Sequence, residues 1–219
     1  MFTHIRKNRV LFFFAAFFIS ANMLIAQEDI DLKSEPIEQF NHSLKLGIGF
    51  PFVVGNSKFN KIFDGTYHFA GSLDFRIYKD ICLGIYGDYS QFDNGTLRVR
   101  TDITKNQTLN TGVRLSFEKY ISSNAFVSVG IDGGYSMINY KTDYAQSDSS
   151  KHLSELTTFS GGVIGGLGFL VEGKKAFMIH TKYHVIQDKF TPQYLNQSGD
   201  GSKNYTQYLT LLLSFVQGF

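Results

Sequence analysis

The sequence predicts an all-β protein, an eight-stranded antiparallel up-and-down β-barrel that crosses a membrane and follows an N-terminal signal peptide. Three observations predict this fold. After residue 41, apolar and polar residues alternate with a period of two, and no segment keeps a helical period. Long and short connections alternate between the strands. The polar strand faces are rich in Gly and Ser, with few charges of balanced sign.

Residues 1–26 have the organisation of a secretory signal peptide. The basic start MFTHIRKNR precedes the apolar run VLFFFAAFFIS, and Ala26 precedes the predicted cleavage site. The alternative is an uncleaved anchor, but the apolar run of residues 10–26 is at the short limit for a membrane span. Residues 27–41 are acidic and without a period, so we expect a flexible periplasmic lead-in before a barrel at 42–219.

Removing residues 1–26 changes the charge balance. The whole chain has 21 bases and 19 acids, and three of those bases lie in the signal peptide, which leaves 18 bases. The excess of bases is therefore no argument for nucleic-acid binding, and none is expected. The single Cys82 cannot form an internal disulfide, which fits a bacterial envelope protein better than a disulfide-stabilised secreted domain.

Each predicted strand has one apolar face. In chain order the strands are 42–53, 67–78, 81–92, 109–118, 125–141, 156–172, 176–188 and 204–219. Their apolar faces include, in the same order, Leu44, Leu46 and Ile48; Phe69, Leu73 and Phe75; Ile81, Leu83 and Ile85; Leu109, Val113 and Leu115; Val127, Val129 and Ile131; Val163, Leu167 and Phe169; Phe177, Ile179 and Val185; and Leu209, Leu211 and Leu213. This alternation predicts strands with two chemically different faces.

The connections between these strands alternate in length. The long ones, at 54–66, 93–108, 142–155 and 189–203, are polar, and the short ones lie at 79–80, 119–124 and 173–175. An up-and-down barrel places successive connections at opposite ends, and outer-membrane barrels have short turns on the periplasmic side and long loops outside. The alternation therefore favours a membrane barrel.

The charged residues on the polar face indicate which face is outside. They are Lys45, Asp74, Arg76, Asp88, Arg114, Glu118, Asp132, Glu172 and Lys182. So few charges suit a narrow interior, where they must pair, better than a soluble exterior. We therefore expect the apolar face to contact lipid and these nine residues to form an interior network. The alternative is a soluble periplasmic barrel that turns its apolar face inward and binds a hydrophobic ligand.

Aromatic residues near the strand ends support the membrane alternative. They are Tyr67, Phe117, Tyr135, Phe159, Tyr183, Tyr205 and Phe219. Aromatic rings favour the boundary between membrane and water, where outer-membrane barrels carry aromatic girdles.

The chain ends in YLTLLLSFVQGF, with Phe215 and Phe219 on the apolar face. This ending resembles the terminal signal of Gram-negative outer-membrane proteins, although Gln217 stands where an apolar residue is usual. The chain as a whole resembles small eight-stranded outer-membrane barrels of the OmpA-barrel or OmpX type. Its Gly-rich strands and the IAQ at the predicted cleavage site look most like the PorT-like outer-membrane barrels of the Bacteroidota. The resemblance implies an outer-membrane location, contact with its lipid, and recognition by the barrel-assembly machinery.

No motif in the sequence predicts a catalytic, cofactor or metal site. The strongest enzymatic alternative is a lipid-modifying acyl hydrolase, because His152 and Ser154 in HLSE have the spacing of two that places both on one strand face. Retained hydrolysis in Ser154→Ala would remove this alternative. His180 and His184 share one face of the seventh strand, but they would lie about 13 Å apart. That separation is too large for one metal ion, so a satisfied polar interior is expected.

The expected function follows from the size of the barrel. Eight strands enclose little more than side chains, so a wide pore is not expected. We expect a structural, adhesive, or envelope-assembly or secretion accessory role, with any envelope or extracellular protein partner bound through the four long loops.

Overall fold

The barrel is closed by a continuous antiparallel sheet. The computed structural model describes residues 40–54, 58–94, 104–141, 154–188 and 204–219. The strands are β1 (His42–Val53), β2 (Asp64–Tyr78), β3 (Ile81–Asp93), β4 (Lys105–Ser122), β5 (Ala125–Lys141), β6 (Ser154–Glu172), β7 (Lys175–Asp188) and β8 (Asn204–Gly218). Each strand pairs with the next, and β8 pairs with β1.

The pairing of the first and last strands leaves the sheet without a free edge. The register runs from Ser43 opposite Gly218 to Val53 opposite Tyr208. Hydrocarbon offers no partner to an unpaired backbone N–H or C=O group, so closure is what allows this sheet to lie in a membrane. The predicted eight-stranded antiparallel up-and-down barrel is confirmed.

The two ends of the barrel differ. Three two-residue turns, at 79–80, 123–124 and 173–174, lie at one end, which we call the turn end. The long connections lie at the other end, which we call the loop end. At the turn end, Gly173 adopts a positive φ of 54°, a conformation in which a side chain is disfavoured.

Most predicted strand boundaries agree with the structure to within a few residues, and β4 is the main exception. It runs from Lys105 to Ser122 instead of 109–118, so the connection to β5 has two residues and not six. The added residues Asn106 and Thr108 are polar and buried. Their polar composition predicts a loop from the sequence. In the structure they belong to β4 and point into the lumen, which is polar in this class of barrel.

One helix was not predicted. Helix α1 (Lys58–Ile62) lies in the connection between β1 and β2, which the sequence analysis took as a polar loop. The amide of Phe63 donates to the carbonyl of Phe59 at 2.9 Å, which closes its last turn. The described residues include no helix of the length and apolar character that a membrane crossing requires.

The apolar face of the sheet points outward. Leu46, Ile48 and Ile131 are 54%, 62% and 58% exposed, whereas Lys45 and Asp132 are 4% and 8% exposed. The exterior is therefore apolar along the strands and the interior holds the charges. This arrangement contradicts the alternative of a soluble barrel lined by apolar side chains, since such a barrel would need a polar exterior.

The predicted signal peptide at 1–26 lies outside the described residues, as does nearly all of the predicted lead-in at 27–41. Phe40 and Asn41 are described, and Phe40 is buried. The first strand, β1, begins at His42, and the predicted division into signal peptide, lead-in and barrel stays a prediction.

Replacing Ile131 with Lys should lower the free energy of unfolding by about 2–4 kcal/mol, because the ammonium group would lie in hydrocarbon near the middle of β5. Equilibrium unfolding in urea in the presence of lipid vesicles measures this change. Ile131→Leu is the matched control and should cost less than about 1.5 kcal/mol. Equal stability of the Lys and Leu variants would contradict the assignment of this face to lipid.

Candidate functional site

The interior of the barrel is the candidate functional site, because the polar and charged side chains converge there. It has a layer of ion pairs in the middle and an aromatic layer at each end. The ion-pair side chains project from strand positions that alternate with the lipid-facing ones, and the aromatic layers also include residues outside the strands.

One group of ion pairs is centred on Lys45 of β1. Its Nζ lies 2.9 Å from Oδ2 of Asp74 on β2 and also contacts Oε1 of Glu118 on β4. Arg76 approaches the other oxygen of Glu118 at 3.8 Å and Asp80 of the first turn at 3.9 Å. These pairs connect three strands across the lumen on the turn-end side.

A second group of ion pairs is centred on Asp132 of β5. Arg114 binds it through two parallel contacts, Nε to Oδ1 at 2.8 Å and Nη2 to Oδ2 at 3.1 Å. Lys182 of β7 contacts both Asp132 and Asp88 of β3. The ring of Tyr86 lies 4.0 Å from Nζ of Lys182 and 5.4 Å from Cζ of Arg114, which adds cation–π contacts.

The interior charges balance among the residues whose side chains are described. Four cations face four carboxylates: Lys45, Arg76, Arg114 and Lys182 against Asp74, Asp88, Glu118 and Asp132. The structure thus brings together eight of the nine residues predicted to share the lumen. The side chain of the ninth, Glu172, lies outside the described part of the structure. Paired charges are required here because an isolated buried ion is strongly destabilising.

An aromatic and aliphatic cluster fills the loop end, and we call it the loop-end plug. Its members are Phe59 and Ile62 of α1, the adjoining Phe63, Phe92, Ile138, Tyr140, Ile186 and Tyr208. The ring of Phe59 lies 4.7 Å from that of Phe63 and 5.2 Å from that of Phe92. Helix α1 therefore presses its apolar side chains into the mouth of the barrel.

A second aromatic cluster, the turn-end plug, consists of Phe40, Tyr120 and Phe126. The ring of Phe40 lies 6.2 Å from Tyr120 and 6.4 Å from Phe126. The Phe40 amide donates to the Tyr120 hydroxyl at 3.2 Å, and Arg76 Nε donates to the Phe40 carbonyl at 2.9 Å. The chain entering β1 is thereby fixed inside the barrel.

Glycine makes the turn-end plug sterically feasible. A Cβ atom at Gly168 would lie 2.1 Å from the ring of Phe126, and one at Gly218 would lie 2.4 Å from the ring of Phe40. Neither distance is compatible with a side chain. Gly on the interior face therefore leaves room for the aromatic rings of neighbouring strands.

Little open space remains between the layers. A cavity of about 10 Å³ is lined by Lys45, Ser72, Arg114 and Ser214 among others. That volume holds about one water molecule. The described part of the barrel therefore provides no wide passage.

The structure also brings together three residues that sequence reasoning did not group. His68 of β2, Asp88 of β3 and His184 of β7 each offer a ligand atom, and these atoms lie within 4.8 Å of one another. From the sequence alone, His184 is related only to His180, which lies on the same strand. His180 instead contacts the Ser214 hydroxyl at 2.9 Å through its Nε2.

The remaining predicted site residues are placed as follows. His152 lies outside the described residues, and so does the side chain of Ser154, which begins β6. Phe215 and Phe219 both face outward, and the Phe219 amide donates to the His42 carbonyl at 3.0 Å. The last residue is therefore held against the first strand.

The fold has known counterparts, although no family model and no curated protein matches the sequence. The structure is similar to neisserial surface protein A, with a TM-score of 0.59 and 13% identity over 82% of this chain and 97% of that one. The fold is that of a small outer-membrane β-barrel. The outer membrane protein OprG from Pseudomonas aeruginosa is also similar, with a TM-score of 0.50 and 10% identity over 84% of this chain and 100% of that one.

These matches and the apolar exterior agree with each other. The resemblance to small eight-stranded outer-membrane barrels is confirmed at the level of the fold, and the apolar exterior is the one expected of a barrel that lies in a membrane. The finer likeness to PorT-like barrels stays a prediction.

Replacing Lys45 with Met should lower the free energy of unfolding by about 3–5 kcal/mol, because Asp74 and Glu118 would lose the cation between them. The double variant Lys45→Met/Asp74→Asn should recover part of the loss, since it removes the carboxylate whose ion pair is with Lys45, whereas Glu118 keeps Arg76. Leu46→Met, on the lipid face of the same strand, is the control. Urea unfolding in lipid vesicles measures all three, and a Lys45→Met variant as stable as the control would contradict the paired-charge account.

Proposed function

We propose that this chain is an outer-membrane anchor whose loop-end surface binds a protein of the envelope or of the cell exterior, in a structural, adhesive, or assembly or secretion accessory role. One observation carries the proposal. The lumen is filled by ion pairs and is covered at both ends by aromatic clusters, so a solute path through the barrel is not the basis of function.

A barrel without a passage meets other macromolecules through its surfaces. Its lateral surface is apolar and contacts lipid. Among the described residues, the turn end consists of three two-residue turns and of the chain at Phe40 and Phe219. The loop end carries the four long connections, which include the polar segments TDYAQSDSS and NQSGDGS. Binding residues concentrate on loops supported by a rigid scaffold, which supports the loop end as the contact surface.

The proposed orientation places the turn end in the periplasm and the loop end outside the cell. Outer-membrane barrels have short periplasmic turns and longer extracellular loops. The buried Phe40 supports the same orientation, because it fixes the start of the barrel at the end from which a periplasmic lead-in would arrive.

Shortening the loops tests this proposal. Replacing residues 142–153 and 189–203 with short Gly-rich turns should leave the barrel folded in the outer membrane, as measured by heat-modifiable migration on a gel. A photoreactive residue at Thr96, in a long connection that the variant keeps, should form protein cross-links on intact cells in the parent chain and lose them in the variant. Position Ser123, at the turn end, is the matched control for labelling. An absence of cross-links from Thr96 in the parent chain, or cross-links only from Ser123, would contradict the proposal.

Conductance tests the closed lumen independently. The purified protein in a planar lipid bilayer should add no steady ion current, because ion pairs fill the described part of the lumen and the cavity among them holds about one water molecule. A large general porin serves as the positive control in the same bilayer. A steady current that scales with the amount of this protein would show an open path and would overturn the proposal.

The proposed partner in biogenesis is the barrel-assembly machinery, which would recognise Phe215 and Phe219. Phe219→Ala should reduce the amount of folded protein in the outer membrane of cells by several-fold, while the rate of refolding into lipid vesicles without that machinery stays nearly unchanged. Phe117→Ala, which removes another outward-facing aromatic ring, is the control and should reduce the cellular amount much less. Equal cellular amounts of the two variants would contradict a terminal signal.

A further inference from the structure

The lumen contains a cluster of three buried groups with unused acceptor atoms. His68, Asp88 and His184 are 0%, 1% and 2% exposed. Nε2 of His68, Oδ1 of Asp88 and Nε2 of His184 have no hydrogen-bond partner among the described residues. Buried polar atoms almost always have a partner, so three without one in a single cluster require an explanation.

We propose that His68, Asp88 and His184 form a binding site for a divalent transition-metal ion of the zinc type. One ligand atom from each residue lies within 4.8 Å of the others. Zinc bonds of about 2.0–2.2 Å place tetrahedral ligands about 3.4 Å apart, so these atoms need to approach one another by at most about 1.4 Å on binding. The site joins β2, β3 and β7 across the lumen.

Hydrogen bonding prepares His68 to act as a ligand. The hydroxyl of Ser90 donates to the hydroxyl oxygen of Tyr208 at 3.3 Å. Nδ1 of His68 lies 2.7 Å from the same Ser90 oxygen, which has a lone pair to accept from the Nδ1–H tautomer. In the neutral imidazole this leaves Nε2 with a lone pair, and a second partner that fixes the tautomer in this way is typical of metal-ligating histidines.

The other two groups are also held in place. The ring of His184 stacks on that of Tyr208 with a centroid distance of 4.2 Å and an interplanar angle of 13°. Asp88 contacts Lys182 through Oδ2, which leaves Oδ1 for the metal. Lys182 is a cation beside the site and opposes metal binding, but Asp132 also binds it, so its charge is already shared between two carboxylates.

The chemistry of the ligands selects the class of metal. Two imidazole nitrogens with one carboxylate oxygen suit zinc and its neighbours in the first transition row, whereas calcium and magnesium prefer sites made of oxygen. Three protein ligands leave a fourth position for water. Tyr208 belongs both to the loop-end plug and to the support of His184, so the site lies directly beneath that plug and exchange of the metal with bulk solution should be slow.

Metal binding to the full-length protein tests the proposal, with zinc and cobalt as the probes. The protein is unfolded, treated with a chelator, and refolded into detergent with either ion, and unbound metal is then removed by gel filtration. The wild-type chain should retain about one zinc per chain, and cobalt should give the visible absorption of a tetrahedral ion. Both His68→Gln and His184→Gln should weaken zinc binding at least about tenfold. Removing a group that only supports a ligand already lowers metal affinity about tenfold or more, and removing the ligand itself should lower it at least as much.

His180→Gln is the matched control, because His180 is buried on the same strand face as His184 and is not a member of the cluster. It should retain zinc at the wild-type level. Zinc that is absent from the wild-type chain, or that binds equally to the wild type and both cluster variants, would overturn the site. If a cluster variant does not fold, X-ray absorption at the zinc edge of the wild type decides the question. Two imidazole ligands support the site, and an all-oxygen shell contradicts it.

Discussion

Closure of the sheet in a medium without water is the constraint on which the rest of this structure depends. Hydrocarbon cannot satisfy backbone N–H and C=O groups, so β8 must pair with β1 along the whole of their shared length. With the edges removed, each strand presents one face to lipid and the other to a narrow lumen. The period of two in the sequence then becomes a division between an apolar exterior and a polar interior.

The small lumen determines how the interior is filled. An eight-stranded barrel has room only for side chains, so each large residue needs a small one across from it. Phe126 is accommodated by Gly168 and Phe40 by Gly218. The charged side chains in the middle form ion pairs with one another, and the aromatic clusters at the two ends shield them from bulk water, which strengthens each ion pair. Stability and closure to solutes therefore have the same physical origin.

The sequence predicts the features that repeat along each strand, but not the contacts that cross the lumen. The bounds of β1 and β5, the outward Ile48 and Ile131, and the balanced set of charges all follow from alternation. Alternation gives the face of each residue, whereas a cross-lumen contact also depends on strand tilt and stagger. The approach of His68 to His184, which lie on β2 and β7, could not be read from either strand alone.

The two plugs were missed for a different reason. Phe59 and Phe63 lie in a connection, and Phe40 lies in a segment with an acidic composition, so no period marks them as buried. The burial of a single hydrophobic residue in such a segment cannot be predicted before the position of the barrel opening that it fills is known. A search for isolated aromatic residues beside the strand termini would have found all three.

Carbene photolabelling from lipid acyl chains, mapped residue by residue in the folded protein, tests the central claim most directly. We expect labels on Val129, Ile131, Tyr135 and Met137 of β5, with none on the alternating Ser128, Asp132 and Ser136. Labels on the second set, with the first set protected, would show that the charged face contacts lipid and would contradict the account.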